Sequence, residues 1–238
     1  MEKYTKVIKH LETIEDWETE ESFLIDALVL SSAKLFYKSY IELIENSIVT
    51  ISPWLRQIQE NIVVIIGVYE KVYTLEELVT KEHSPKTIMN RIKTQKYQLK
   101  VEEFNQLNNY LMLLKEMLNK FSHTNFEGVM TLFTERFQVP ESIAFNKVMM
   151  NFFITFLEMP FVVMVNDLYK LELKIPKVID LKKELKKIGT LKYVTRLFPE
   201  SIKEFINKSD TLKNYYGKTI KDLQSMSKEL AERIKLQE

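Results

Sequence analysis

A histidine surrounded by small polar side chains lies near the middle of the chain. His123 follows Asn119, Lys120 and Ser122 and precedes Asn125. Histidine titrates near neutral pH, so His123 could act as a general acid or base while the neighbouring hydroxyl and amide groups orient a substrate. A histidine just past a helix end also often hydrogen-bonds the last carbonyls, and an asparagine often caps the next helix. The local pattern alone favours this structural role.

A charged pair, Arg56 and Glu60, precedes the apolar run IVVIIGVY. The two residues are four positions apart, so they share one face of a helix. A charged pair at the mouth of a buried helix could position a phosphate or a water molecule. An ordinary surface ion pair would contribute less than ~1 kcal/mol. The spacing alone favours the ordinary ion pair.

Both groups lie on helices that the hydrophobic pattern predicts. Apolar residues recur at spacings of three and four at Phe104, Leu107, Leu111, Leu114, Leu118 and Phe121. This periodicity predicts one long helix over 104–125, with His123 at its C-terminal end. Ser52 followed by Pro53 indicates the start of the helix that carries Arg56. We predict that this second helix runs to about Tyr73 and lies in the centre of a bundle, because it is apolar on nearly every face.

Further helices follow from the same criteria. Thr19 is the expected cap of a helix over about 22–47. The inner side of that helix is marked by Leu24, Leu28, Leu35, Tyr40 and Ile44. Thr74 and Glu77 have the spacing of a capping box and begin a short segment. A long apolar helix is expected over about 140–171, and a short helix or arm over 1–18.

The composition indicates an all-α protein. The chain has 238 residues, of which 45% are hydrophobic and 28% charged, as in ordinary globular proteins. With only 4 Gly and 6 Pro, it has little turn material for a β-sandwich or an alternating α/β fold. The composition becomes Lys-rich after Pro176. We therefore predict a multi-helix bundle over 1–175 and a C-terminal helical extension over 176–238.

Charge and residue usage exclude several classes of protein. The net charge of +1 gives no global attraction to nucleic acid or to a membrane. The absence of Cys excludes disulfides and thiolate metal sites and fits a reducing compartment. The charged N-terminus lacks a signal-peptide core, so we expect a cytoplasmic protein. The apolar stretch 148–165 contains Asn151, Glu158 and Pro160, which favours a buried core helix over a membrane span.

The chain also lacks the motifs of most familiar sites. Its three histidines are not spaced as metal ligands. It has no Gly-rich phosphate loop, no nucleophile elbow and no dinucleotide fingerprint. We therefore expect no metal and no cofactor.

Two stretches together resemble a known family. WLRQIQENIVVIIGVY, followed further along the chain by YLMLLKEMLNKFSHTNFEG, is similar to the HEPN family of helical domains, in its prokaryotic branch of abortive-infection-type and uncharacterised proteins. In that branch a central helix carries an Arg and a Glu at the spacing of Arg56 and Glu60. A later helix ends in a short polar stretch and a His, matched by Asn119, Ser122 and His123. The resemblance covers roughly residues 20–175.

The resemblance implies a helical bundle that is usually a homodimer, with the His-bearing helices near the dimer interface. Active members are metal-independent ribonucleases, in which a polar residue and a His promote attack of the RNA 2′-hydroxyl on the adjacent phosphate. Other members bind without cleaving. The usual signature places an Arg before four to six residues and then the His. Here those positions hold Glu116, Met117 and Leu118, and the cations Lys115 and Lys120 lie just outside them.

Two functions therefore stay open. The first is a HEPN-like protein of a bacterial or phage defence or toxin system, which binds RNA or nucleotide with or without metal-independent cleavage of RNA. Its catalytic residues would be His123 as acid–base group, Arg56 as phosphate contact and Asn119. Its substrate-binding residues would be Glu60, Lys120, Ser122 and Asn125. The second function is a non-enzymatic dimeric module that binds another protein, which the incomplete signature and the near-zero net charge favour.

Overall fold

The computed structural model confirms the all-α fold. It describes residues 1–45, 48–80, 87–88, 91, 118–119, 140–176, 207–211 and 213–214. Within these ranges the chain forms five helices and no strand. They are α1 (Glu2–Leu11), α2 (Glu20–Glu45), α3 (Ile48–Tyr69), α4 (Leu75–Thr80) and α5 (Pro140–Tyr169).

Helix α3 is buried on several sides, as its apolar pattern predicted. It packs against α2 and α5, while α2 also packs against α1, α4 and α5. The buried apolar side chains of α3 are Ile51, Leu55, Ile58, Ile62, Val63, Ile65 and Val68. They occupy more than one side of the helix, because α3 has a neighbour on more than one side. The Arg56 turn therefore projects from a helix that is fixed by the core.

The predicted start of α3 at Pro53 is wrong. The helix begins at Ile48 and contains Pro53 within its second turn. A proline there cannot donate the hydrogen bond to the carbonyl four residues earlier. Ile51 and Ser52, the two residues directly before Pro53, are fully buried. Their packing holds this turn helical, so the Ser-Pro pair is not a helix start here.

The predicted inner side of α2 is displaced by one position from the buried side. The buried residues of α2 are Ile25, Val29, Ser32, Ala33, Phe36 and Ser39. Most of the residues predicted to point inward are only partly buried, and Ile44 is 65% exposed. Small Ser32 and Ala33 are fully buried because they let another helix approach closely. A count of large apolar residues does not detect such a face.

Both predicted helix caps are confirmed. The amide of Ser22 donates to Thr19 Oγ1 over 3.1 Å, and the amide of Thr19 donates to Ser22 Oγ over 3.2 Å. The amide of Glu77 likewise donates to Thr74 Oγ1 over 3.1 Å, and the amide of Thr74 donates to a Glu77 carboxylate oxygen over 3.3 Å. Each pair satisfies two backbone amides that the first turn of a helix leaves without intrahelical partners.

Helix α5 contains a long apolar stretch. Among the residues that the structure describes, Met150–Tyr169 is long and apolar enough to cross a membrane by length and composition, with a mean hydropathy of 1.4. Half of this stretch is buried in the protein, including Phe152 and Phe153. The core helix of a globular protein meets the same criteria, so the stretch is weak evidence for a membrane span. Its burial fits the core-helix interpretation.

Several predictions fall outside the described residues. Of the predicted helix over 104–125, only Leu118 and Asn119 are described, and their backbone is helical. Of the predicted extension over 176–238, only Pro176 and short pieces within 207–214 are described. The boundary near residue 176 therefore stays a prediction.

Candidate functional site

The Arg56–Glu60 pair exists as predicted and lies at the protein surface. Arg56 Nε lies 3.3 Å from Glu60 Oε1, one helical turn away on α3. The two side chains are 35% and 31% exposed. An ion pair with this much exposure is screened by solvent and adds little to stability. Its guanidinium is nevertheless held in one direction and can be reached from solution.

A buried hydrogen bond connects this part of α3 to the beginning of the polar stretch. Ser52 Oγ donates to the carbonyl oxygen of Leu118 over 3.1 Å, and both residues are fully buried. Ser52 lies four residues before Arg56, so the two residues share one side of α3. Asn119, next to Leu118, is partly buried and helical. The structure thus brings the segment containing Asn119 to the side of α3 that carries Arg56.

The other predicted site residues lie outside the described ranges. They are Lys120, Ser122, His123 and Asn125. Their assignment to one site with Arg56 and Glu60 stays a prediction. Of the other histidines, His83 also lies outside these ranges. His10 belongs to α1, where its ring packs edge-on against Tyr169 at 5.4 Å between centroids.

A polar side chain next to the predicted site has a structural role instead. Asn61 follows Glu60 but is only 3% exposed. Its amide nitrogen donates to Ser32 Oγ of α2 over 3.1 Å, and its amide oxygen accepts from Gln57 Nε2 over 3.0 Å. Ser32 Oγ in turn donates to the carbonyl of Leu28 over 2.8 Å. These bonds satisfy polar groups at the α2–α3 contact, as buried polar groups require.

A buried carboxylate group was missed by the sequence reasoning. Glu158 of α5 is 3% exposed and accepts hydrogen bonds from Tyr4 Oη and, over 3.5 Å, from Tyr40 Oη. Lys3 forms an ion pair with the same carboxylate. Glu158 thereby connects α1, α2 and α5. The available signal was the single Glu within the apolar stretch 148–165, because a buried charge needs a partner.

The surroundings of Glu158 change the acidity of both tyrosines. Burial is the largest cause that raises the pKa of Tyr4, and the negative charge of Glu158 is the next. Burial and then Glu158 likewise raise the pKa of Tyr40. Both phenols therefore stay protonated in the folded protein at a pH where an exposed tyrosine ionises.

We predict a steep loss of stability at alkaline pH. Folding raises both pKa values, so the two protonated tyrosines contribute to the free energy of unfolding. This contribution is fully present below the ordinary tyrosine pKa of ~10 and falls as the pH rises above it. Each such tyrosine should lower the free energy of unfolding by about 1.4 kcal/mol per pH unit. Tyr40→Phe should make the fall of the unfolding free energy with pH less steep by about 1.4 kcal/mol per pH unit. Urea unfolding between about pH 9 and 11 measures this slope.

The control for this prediction is Ser39→Ala. Ser39 is a buried neighbour of Tyr40 on α2, and its hydroxyl donates to the carbonyl of Leu35 over 2.8 Å. Its loss removes a hydrogen bond but no group that titrates in this range. Ser39→Ala should therefore keep the wild-type slope. An unchanged slope in Tyr40→Phe would contradict the prediction.

A second group that the sequence reasoning missed lies at the surface. Trp17 Nε1 donates to Asp26 Oδ2 over 3.0 Å, and Tyr169 Oη donates to Asp26 Oδ1. Burial, and then the hydrogen bond to Asp26, raise the pKa of Tyr169. The Trp17 ring packs edge-on against Phe23, with centroids 5.0 Å apart. Asp26 thus fixes an aromatic pair between the end of α1 and the start of α2.

This aromatic pair lies within a strongly acidic part of the chain, residues 12–26, which we call the acidic segment. It contains no Lys, Arg or His. Its carboxylates are Glu12, Glu15, Asp16, Glu18, Glu20, Glu21 and Asp26. All of these except Asp26 are exposed. Glu12 lies 3.4 Å from Lys34, which follows the segment on α2.

The described residues give no indication of a metal centre. Within them, no three His, Asp or Glu side chains are grouped closely enough to hold a metal ion. Comparisons of the chain with protein-family models, with curated proteins and with solved structures gave no significant match.

Proposed function

We propose that this chain is a HEPN-like protein of a bacterial or phage defence or toxin system, which binds RNA at the surface formed by the Arg56 turn of α3 and the segment that begins at Asn119. The observation that supports this proposal is the buried hydrogen bond from Ser52 to Leu118. It brings together two stretches that are 66 residues apart in sequence, and these are the stretches that carry the family resemblance.

Arg56 is suited to contact a phosphate group of the RNA. A guanidinium donates two parallel hydrogen bonds to a phosphate and stays charged at any physiological pH. Glu60 accepts a hydrogen bond from Arg56 Nε along the helix. This ion pair is partly exposed and weak, so it competes little with a phosphate for the guanidinium.

The cleavage step needs no metal and no external nucleophile. His123 would accept the proton of the ribose 2′-hydroxyl as its oxygen attacks the adjacent phosphorus. The bond from phosphorus to the 5′-oxygen of the next nucleotide then breaks, and that oxygen takes up a proton. The products are a 2′,3′-cyclic phosphate and a free 5′-hydroxyl. Arg56 would stabilise the charge on the phosphoryl oxygens, and Asn119 or Ser122 would orient the ribose.

Binding is tested by Arg56→Gln with labelled single-stranded RNA and fluorescence anisotropy. The loss of a charged hydrogen-bond donor should weaken binding by about 1.5–3 kcal/mol, roughly tenfold to a hundredfold in Kd. The matched control is Arg91→Gln. Arg91 also forms an ion pair, 2.6 Å from Glu77, and its side chain is 34% exposed, close to the value for Arg56. Equal losses in both variants would indicate nonspecific attraction and would contradict a site at Arg56.

A second candidate is the non-enzymatic dimeric module. It is favoured by an outer side of α5 where Val163 is 42% exposed and Phe156, Met159 and Met164 are only partly buried. An exposed apolar side chain flanked by partly buried ones on one long helix suits a contact with a second copy. Failure of the wild-type chain to bind RNA, combined with a stable dimer in sedimentation, would favour this candidate over the first.

A further inference from the structure

The exposed pair of Trp17 and Phe23 is not used by the proposed RNA site. Trp17 is 43% exposed and Phe23 is 50% exposed. Their rings meet at 86° with centroids 5.0 Å apart, and about half of each residue is open to solvent. Large aromatic side chains at the surface are enriched at the centres of protein interfaces, where they contribute most of the binding free energy.

The geometry of this pair is set before any partner arrives. Asp26 accepts from Trp17 through one carboxylate oxygen and from Tyr169 of α5 through the other. Tyr169 is in turn packed against His10 of α1. The hydrogen bond to Asp26 of α2 orients the Trp17 ring, and Tyr169 of α5 holds Asp26 in place. Binding of a partner would therefore cost little conformational freedom of the Trp17 side chain, which favours affinity.

The charge around the pair selects the chemistry of the partner. The acidic segment carries seven carboxylates and no cation along residues 12–26, and Lys34 of α2 forms an ion pair with Glu12. Such a field repels RNA phosphates and attracts a basic segment. Arginine and lysine side chains also bind to the face of a tryptophan ring through the cation–π interaction. Aromatic faces and acidic surroundings therefore favour the same ligand.

We propose that Trp17 and Phe23, together with the surrounding acidic segment, form a docking surface for a basic, Arg- and Lys-containing segment of another protein. A cationic side chain of that segment packs on the Trp17 ring, an apolar side chain packs on Phe23, and the exposed carboxylates speed the approach. This surface shares no residue with the proposed RNA site on α3.

The test uses the full-length chain and a fluorescent peptide of alternating arginine and leucine. We expect saturable binding that weakens as salt is added. Trp17→Ala should weaken it about tenfold, within the range measured for a partly desolvated cation–π contact. The matched control is Tyr69→Ala, because Tyr69 is also a large exposed aromatic residue, at 58%, but lies on α3. Tyr69→Ala and Arg56→Gln should bind the peptide as the wild type does.

A second variant keeps the proposal testable if Trp17→Ala changes the fold. Glu15→Gln, Asp16→Asn and Glu18→Gln combined leave both aromatic rings in place and should reduce binding and its salt dependence. The proposal is overturned if the wild-type chain does not bind the peptide below about 1 mM. Equal binding of a peptide with glutamate in place of arginine would also overturn it. So would a loss of self-association in Trp17→Ala without peptide binding, since the occupant would then be a second copy.

Discussion

We expect Glu158→Ala to lower the free energy of unfolding by about 3–5 kcal/mol, because removal of one partner from a buried charged group leaves the others unsatisfied. The buried Tyr4 hydroxyl would lose its acceptor, and Lys3 would lose its ion-pair partner. The same substitution also leaves a space in the contact among α1, α2 and α5. Urea unfolding followed by circular dichroism measures the change.

The matched control for Glu158→Ala is Asp167→Ala. Asp167 lies on the same helix, and its side chain is exposed. A surface substitution of this kind is expected to change stability by no more than about 0.5 kcal/mol. Glu158→Gln should lower the free energy of unfolding by an amount between those of Glu158→Ala and Asp167→Ala. An amide oxygen can still accept a hydrogen bond from Tyr4, while the negative charge is lost. A Glu158→Ala variant within about 1 kcal/mol of the wild type would show that this group does not hold α1 in place.

We expect His123→Ala to reduce RNA cleavage by about 10²–10⁴-fold, the usual contribution of a positioned acid–base group. The thermal unfolding midpoint should stay close to that of the wild type, because the proposed role of His123 is chemical. Cleavage of labelled RNA by the purified proteins measures the rate. RNA integrity and growth of bacteria that express each form show whether the activity operates in a cell.

The control for His123→Ala is His10→Ala. His10 lies on α1 and packs against Tyr169 of α5. We expect this variant to cleave RNA at the wild-type rate at a temperature where both proteins are folded. A His123→Ala variant that cleaves RNA normally would contradict the catalytic assignment. A large fall in its unfolding midpoint would instead indicate that His123 caps a helix end.

The features that the sequence predicted correctly depend on residues close together in the chain. The caps at Thr19 and Thr74 each join residues three positions apart, and the Arg56–Glu60 pair joins residues four apart. Helical geometry alone brings such residues together, so residue type and spacing suffice. The burial of α3 on several sides was also predictable, because a helix that is apolar on most sides must be covered by neighbours.

The errors arose where distant packing outweighed a local signal. The Ser52–Pro53 pair is a common helix start, yet α3 begins earlier because Ile51 and Ser52 are buried in the core. The buried side of α2 includes Ser32 and Ser39, which a search for large apolar residues passes over. Their hydroxyls donate to carbonyls one turn earlier in the same helix, so their burial leaves no donor unsatisfied.

The sequence by itself determined the helical class, the helix caps and the charged pair on α3, since each follows from periodicity or from spacing within one or two turns. Only the tertiary structure decided which distant groups meet. Tyr4 is 154 residues from Glu158, and Ser52 is 66 residues from Leu118. Hydrophobic periodicity indicates which side of a helix is buried, but it does not indicate which other helix covers that side. The partners of Glu158 and the neighbour of the Arg56 turn therefore became visible only in the folded chain.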